Sequence, residues 1–154
     1  MNENCELCAS AGGEVLHADE ALRVVLIDDA QYPGFCRVIW NAHVKEMTDL
    51  APAERSRMMM SVMKVESALR DTLSPDKINL ASLGNMTPHL HWHVIPRYAD
   101  DVHFPGAIWA HEQREPHAAK LAERASRLDA LRVAIRQAFA ELNPEASSNA
   151  AKES

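Results

Sequence analysis

The chain has 154 residues, 47% of them hydrophobic and 25% charged, which suits one globular domain around a single core. Its formal charge of −6 and pI near 5.7 argue against a nucleic-acid scaffold, because phosphate backbones are held by basic surfaces; a nucleotide substrate needs only local donors and stays open. The first five residues are neither basic nor followed by an apolar stretch, and the longest clean aliphatic run, 24–27, is too short to span a bilayer: no signal peptide, no membrane partner and a cytoplasmic location are expected.

The chain opens on Cys5-Glu6-Leu7-Cys8, and with Cys36 the cysteines number three. In a reducing compartment such a pair is a metal site or redox motif more often than a structural disulfide. Ala11-Gly12-Gly13 then breaks the chain. Residues 14–17 and 22–27 are β-rich, Asp28-Asp29 and Tyr32-Pro33-Gly34 make a turn, and 35–40 reads as a third strand. Helical signals begin near Thr48-Asp49, with Pro52 acceptable in the first turn. Met59, Val62, Met63, Ala68 and Leu69 recur at spacings of three and four, which predicts an apolar face as far as Leu73, the methionines serving as core filler.

Ser74-Pro75-Asp76 ends that helix, 77–83 is a fourth strand, and Gly84-Asn85-Met86-Thr87-Pro88 is a loop. A fifth strand covers 89–95 and stops at Pro96. Residues 99–109 read as a loop, and a second helix fits 117–142, with Leu121, Leu128, Leu131, Ile135, Phe139 and Leu142 on one face. Asn143-Pro144 closes it, and 143–154 reads as a disordered tail. The order predicts a single α+β domain over 1–142: an antiparallel meander of about five strands with two main helices, its core within 5–109.

The residues that carry chemistry are His89-Leu90-His91-Trp92-His93-Val94-Ile95. Strand side chains alternate between faces, so the three histidines form an exposed row on one face while Leu90, Trp92 and Val94 turn to the core. The bland reading is a solvated edge strand rich in histidine. A metal centre is a second reading, since imidazole is a common zinc ligand, although a third histidine two residues further on cannot easily reach the same ion. Phosphoryl or nucleotidyl transfer is the third: one neutral imidazole attacks phosphorus while its neighbours hold phosphate oxygens or the leaving group.

This motif, followed by Pro96-Arg97, resembles the signature of the histidine triad (HIT) family. The resemblance extends to the Cys-X-X-Cys start, the Asp28-Asp29 turn, the strand running into His43, and the Asn79 strand with its Gly84-Asn85 loop, covering roughly residues 5–109. It implies a HIT-like fold and a hydrolase or transferase cleaving at the α-phosphate of a nucleoside phosphoramidate, dinucleoside polyphosphate or related conjugate. His91 would be the nucleophile, forming a nucleotidyl-histidine that water resolves to a nucleoside monophosphate. His93 would contact the α-phosphate and help protonate the leaving group. Asn79, Asn85 and Thr87 match phosphate or leaving-group contacts, and Asp28 or Asp29 a ribose-binding acid. The resemblance also implies a purine nucleotide as substrate, a homodimer and no catalytic cofactor. One departure matters: Phe35 stands eight residues before His43, where the better-studied branch of the family has a fourth histidine.

Cys5 and Cys8 supply half of a tetrahedral site, though a redox pair or plain thiols fit a lone Cys-X-X-Cys nearly as well. Bacterial HIT proteins of this kind hold a structural zinc with such a pair, and His43 and His89 would be the remaining ligands; a strand-end histidine bonded to backbone is the alternative for His43. Cys36 reads as a buried small hydrophobe, and His17, His103, His111 and His117 as surface residues. Phe104-Pro105-Gly106 and Trp109 either line the leaving-group end of the pocket or pack on a partner subunit. The competing functions are a nucleotide-binding regulatory module with little turnover and a protein that binds metal through the histidine row itself.

Overall fold

The computed structural model describes residues 4–140; the tail expected over 143–154 and the last residues of the final helix lie outside them. A short helix α1 (Glu6–Ala9) precedes strands β1 (Glu14–Ala18), β2 (Leu22–Leu26) and β3 (Cys36–Trp40). A 3-10 turn at Met47–Asp49 leads into α2 (Pro52–Leu73), followed by β4 (Lys77–Ala81), β5 (His91–Arg97), α3 (Ala118–Ala125) and α4 (Leu128–Ala140). Among the described residues the five strands form one antiparallel sheet in the order β1-β2-β3-β5-β4.

The expected meander holds only for the first three strands. Both β3 and β4 pair antiparallel with β5, so they run parallel to each other, joined across one face by α2, and β5 is inserted between them. The motif strand therefore has a neighbour on each side. Both its faces are covered, and the expected exposed histidine row is a buried one: His89, His91 and His93 are 1%, 6% and 5% exposed.

The strand also starts later and ends later than its sequence suggests. Residues 89 and 90 sit ahead of it, with Leu90 bonded through its backbone to Trp40 and Val44. Beyond Val94 the partner β3 has ended, so β5 runs on through Pro96 to Arg97 along β4 alone, an edge-like stretch where a proline is tolerated.

Helix α2 opens with Pro52 in its first turn and the Glu54 carboxylate accepting from the Ala51 amide at 2.7 Å. It closes at Ser74, whose φ of 47° is left-handed. Its buried face is Met58, Val62, Val65, Leu69 and Leu73, a stripe against Val24, Val38 and Val94 of the sheet. Burying each of these side chains contributes roughly 1.5–3 kcal/mol. The methionines are shifted from the expected face: Met58 is in the core, while Met63 is exposed.

Gly34, at φ +95°, makes the turn into β3; a Cβ there would lie 2.4 Å from Leu73 Cδ1, so this corner admits only glycine. The second long helix is broken at Ser126-Arg127 into α3 and α4. Only α4 packs fully, through Leu131, Ile135 and Phe139.

Candidate active site

Two clusters meet around the start of β5. The first is Cys5, Cys8, His43 and His89, whose potential ligand atoms all lie within 4.8 Å of one another. Helix α1 carries Cys8 and begins after its N-cap Cys5, and Arg23 of β2 anchors that segment by donating to the carbonyls of Leu7, Ser10 and Ala11. Nδ1 of His89 lies 3.4 Å from Cys5 Sγ, 3.5 Å from Cys8 Sγ and 3.3 Å from His43 Nδ1. The Cys8 Sγ to His43 Nδ1 distance is 3.4 Å. A tetrahedral zinc with bonds of about 2.3 Å to sulfur and about 2.05 Å to nitrogen sets its ligand atoms about 3.3–3.7 Å apart. The three edges to His89 and the Cys8–His43 edge, at 3.3–3.5 Å, match this, and the other two stay within 4.8 Å. His89 Nε2 lies 2.6 Å from the Trp40 carbonyl oxygen. A carbonyl only accepts, so Nε2 carries the proton and the Nδ1 lone pair faces the thiols.

The second cluster is His91 and His93. His91 Nδ1 donates to the His89 carbonyl oxygen at 2.6 Å, which by the same reasoning leaves its Nε2 as a lone pair. Burial pushes the His91 pKa down, with the Arg37 charge adding to it against the raising effect of that carbonyl. His91 is therefore a neutral base at pH 7. The ring of His93 meets that of His91 edge-on at 4.8 Å between centroids. Burial, then the neighbouring His91 and Arg37, hold His93 down to about 3, and its Nδ1 is buried with no hydrogen-bond partner. The Phe35 ring packs 5.6 Å from His93, and Trp109 lies 5.2 Å from it.

Trp109 is placed by a buried network that the sequence did not reveal. Arg97, 1% exposed, donates twice to Asp101, at 2.8 and 2.9 Å, and to Gly106 O and Asn79 Oδ1. Tyr32 OH bonds His103 and Asp101, and Arg114 donates to the carbonyls of Asp101 and Phe104. The segment expected to be a loop over 99–109 is thus tied to the sheet at several points. His103, expected at the surface, is buried inside it; His17, also expected there, is half-buried and stacked on Phe139 at 4.3 Å. His111 and His117 are exposed and Cys36 is fully buried, as expected.

Asn79 lines a cavity of about 490 Å³ together with Ala81, Ile95, Ile108 and Trp109. Its Oδ1 is held by Arg97, so the amide NH2 is the group left to donate. Asp28 and Asp29 line a different cavity of about 600 Å³, with Leu26, Ile27, Leu121 and Leu128, in which no triad histidine takes part. Asp29 Oδ1 accepts from the Gln31 amide, whereas Asp28 is exposed and carries no such bond. Asn85 is exposed on the 84–88 loop and Thr87 half-buried; neither side chain bonds to a histidine of the motif.

Arg37 is the group at this site that the sequence reading passed over. Its signal was one cation inside the apolar run Phe35-Cys36-Arg37-Val38-Ile39-Trp40, on the strand face shared with the histidines.

The HIT domain model matches residues 10–100. Among solved structures, a histidine triad protein from Bradyrhizobium japonicum is 30% identical, covering 79% of this chain and 91% of that one with a TM-score of 0.65. A zinc-bound histidine triad family protein from Mycobacterium smegmatis shares the fold at 24% identity and TM-score 0.61, over 90% of this chain and 97% of its own. Among characterised proteins, Protein hit of Bacillus subtilis is 27% identical over 70% of this chain and 79% of its own length. Adenylylsulfatase HINT3 of Arabidopsis thaliana is 26% identical over 83% and 67%. An asymmetrical bis(5'-nucleosyl)-tetraphosphatase of Schizosaccharomyces pombe is 32% identical over 45% of this chain and 41% of its own length.

Proposed function

This chain belongs to the HIT domain family, and from that premise we propose that it is a nucleotide hydrolase or nucleotidyl transferase whose His91 attacks the α-phosphorus of a nucleotide conjugate. The observation that carries the reading is the bond from His91 Nδ1 to the His89 carbonyl. It fixes the tautomer with Nε2 unprotonated, as a nucleophile requires. The Nε2 lone pair forms the N–P bond while the bond from phosphorus to the leaving group breaks, the departing atom keeping its electron pair and, where it is an amine, taking up a proton from His93. The positive charge then borne by the imidazole is stabilised through the proton that Nδ1 shares with the carbonyl. Water next attacks phosphorus, the N–P electrons return to Nε2, and a nucleoside monophosphate leaves.

His93 is neutral before substrate binds. It serves as a hydrogen-bond donor to phosphate, and becomes an acid only once an anion lies against it. The Asn79 amide is a second donor. Of the two candidate ribose contacts the reading favours Asp28, because Asp29 is engaged by its own turn. Asn85 and Thr87 reach a substrate only if the 84–88 loop closes on it. The name of the Arabidopsis relative supports an adenylyl conjugate, and that of the Schizosaccharomyces relative a dinucleoside polyphosphate, as the substrate class.

The Cys5–Cys8–His43–His89 cluster would hold a structural zinc; when bound, the ion supplies cross-linking of α1 to the end of β3 and the start of β5, and no catalytic cofactor is invoked. The zinc-bound Mycobacterium smegmatis neighbour and the free thiols support this, and the latter also a cytoplasmic location. A homodimer is supported by the open edge at β4, beside which Leu80, Leu83 and Met86 are exposed; light scattering reads the mass directly.

Incubation with adenosine phosphoramidate or a diadenosine polyphosphate should release AMP, and a His91→Ala variant should be folded and inactive. Wild-type turnover in that variant would remove His91 as nucleophile. A nucleotide-binding module with little turnover is the second reading, favoured by Phe35 in place of a histidine; tight binding of added AMP by protein that leaves both substrates intact would select it.

A further inference from the structure

Arg37 of β3 is a cation on the face of the triad histidines. In the sheet register Arg37 pairs directly with His93, whereas His91 pairs with Ile39. The guanidinium therefore stands on the histidine face, beside His93 and diagonal to His91. It is half-buried, and its Nε is fully buried with no hydrogen-bond partner. No carboxylate lies within ion-pair distance of it among the described residues. The acid that influences it is Glu6, exposed on α1 and without a salt bridge to it. The neighbours that face it are His93 and Val25 across the two strand pairs and the Phe35 ring, with Cζ 5.7 Å from the ring centroid. A guanidinium drawn into a sheet without a counter-charge is costly unless an anion arrives to complete it.

We propose that Arg37 is a substrate-binding residue that holds the oxygens of a phosphate on the leaving-group side, and so makes the site select conjugates that extend into a polyphosphate chain over those with an uncharged leaving group. The inference rests on the assignment of His91 as nucleophile. In-line attack sends the leaving group away from His91 Nε2, and on the same face Arg37 stands beside His93, the group that would meet the departing atom. When the bond from the α-phosphorus to the bridging oxygen breaks, that oxygen keeps the electron pair and the charge spreads over the departing phosphate. A guanidinium can meet two of its oxygens at once. An amine leaves without such oxygens and gains nothing from Arg37. This cation takes up phosphate binding at a site where the family's fourth histidine is replaced by Phe35.

The test compares kcat/KM for diadenosine tetraphosphate and adenosine phosphoramidate in the wild type, Arg37→Leu and Arg37→Lys. A charge-assisted bond of this kind is worth about 10- to 100-fold. Arg37→Leu should lose about that factor with the tetraphosphate and less than about 3-fold with the phosphoramidate, Arg37→Lys falling between. Equal losses with both substrates, or no loss with either, would overturn the proposal. Calorimetry with ADP and AMP on folded wild type and Arg37→Leu separates this claim from the enzymatic one. ADP should bind more tightly than AMP, and the difference should vanish in Arg37→Leu. If neither substrate is cleaved but that difference appears and vanishes as stated, the hydrolase reading fails and Arg37 stands. If ADP and AMP bind alike in the wild type, Arg37 has no such role.

Discussion

His89 belongs to both clusters at once: its Nδ1 faces Cys5 and Cys8 while its backbone carbonyl accepts the Nδ1 proton of His91 at 2.6 Å. The ring that would bind metal and the ring that would attack phosphorus are thus coupled through one carbonyl group. Anything that fixes His89 also orients His91.

Zinc removal should therefore act on stability and on turnover together. Elemental analysis is expected to give one zinc per chain, lost in Cys8→Ala but kept in His91→Ala. Binding energy at a structural site is folding energy, so Cys8→Ala should lower Tm by roughly 5–10 °C. Its kcat should fall more than its KM rises, because the His91 ring loses orientation rather than contacts to substrate. Zinc lost with His91→Ala and kept in Cys8→Ala would place the metal on the histidine row instead.

The Arg97–Asp101 pair is 2% exposed on both sides, so breaking it leaves a buried charge without its partner. Arg97→Leu is expected to cost about 3 kcal/mol in urea unfolding and to release the Gly106 and Asn79 contacts. Trp109 should then lose its seat on His93. Its fluorescence should shift to the red in the native state, and KM should rise even under conditions where the variant is fully folded. A native spectrum and KM identical to the wild type would show that the network does not position Trp109.

His93 makes the protein sensitive to acid. Unfolded, its ring takes up a proton near pH 6.5; folded, burial and the charges of His91 and Arg37 hold that uptake down to about 3. Between these values the unfolded chain binds more protons, so stability falls as pH drops from 6.5 and is fully present above it. From pH 7.5 to 5.0 the effect approaches about 2 kcal/mol. Urea midpoints measured at both pH values should fall further in the wild type than in His93→Phe. Equal falls would mean that His93 is protonated in the native state.

The sequence made some of this legible for a physical reason. Period-two alternation around His91 and His93 marks a strand whatever its neighbours, and Cys5-X-X-Cys8 names half of its partners by chemistry alone. Other features depend on contacts far apart in the chain. Whether the face of β5 meets solvent is decided by α1 and by the segment after Arg97, so the histidine row was misread as exposed. Pro96 signals a strand end, yet β3 stops before it and leaves the strand free to continue. The Arg97–Asp101–Asn79 network joins residues that look like surface charges until the sheet places Asn79 beside Arg97. Arg37 was in plain view within an apolar run, but the partner that gives it meaning, His93, appears only through the β3–β5 register.

Phe35 offers a direct test of what the missing histidine costs. Its ring lies 5.6 Å from that of His93, whose Nδ1 is without a partner. In Phe35→His an imidazole N–H can donate to that Nδ1 and so fix the His93 proton on Nε2, facing substrate. A leaving group that depends on protonation gains most from a fixed donor. Turnover of adenosine phosphoramidate should therefore rise by about 10-fold, with a smaller change for diadenosine tetraphosphate, whose phosphate leaves without needing an acid. The substitution also takes an apolar ring out of the cluster of Tyr32, Ile95 and Val102, at a cost of about 2 kcal/mol, so Tm should fall by roughly 5 °C. The two effects move in opposite directions, which separates them. A variant that is less stable and no faster would show that His93 already presents its proton to the substrate and that the family's fourth histidine is not what this site lacks.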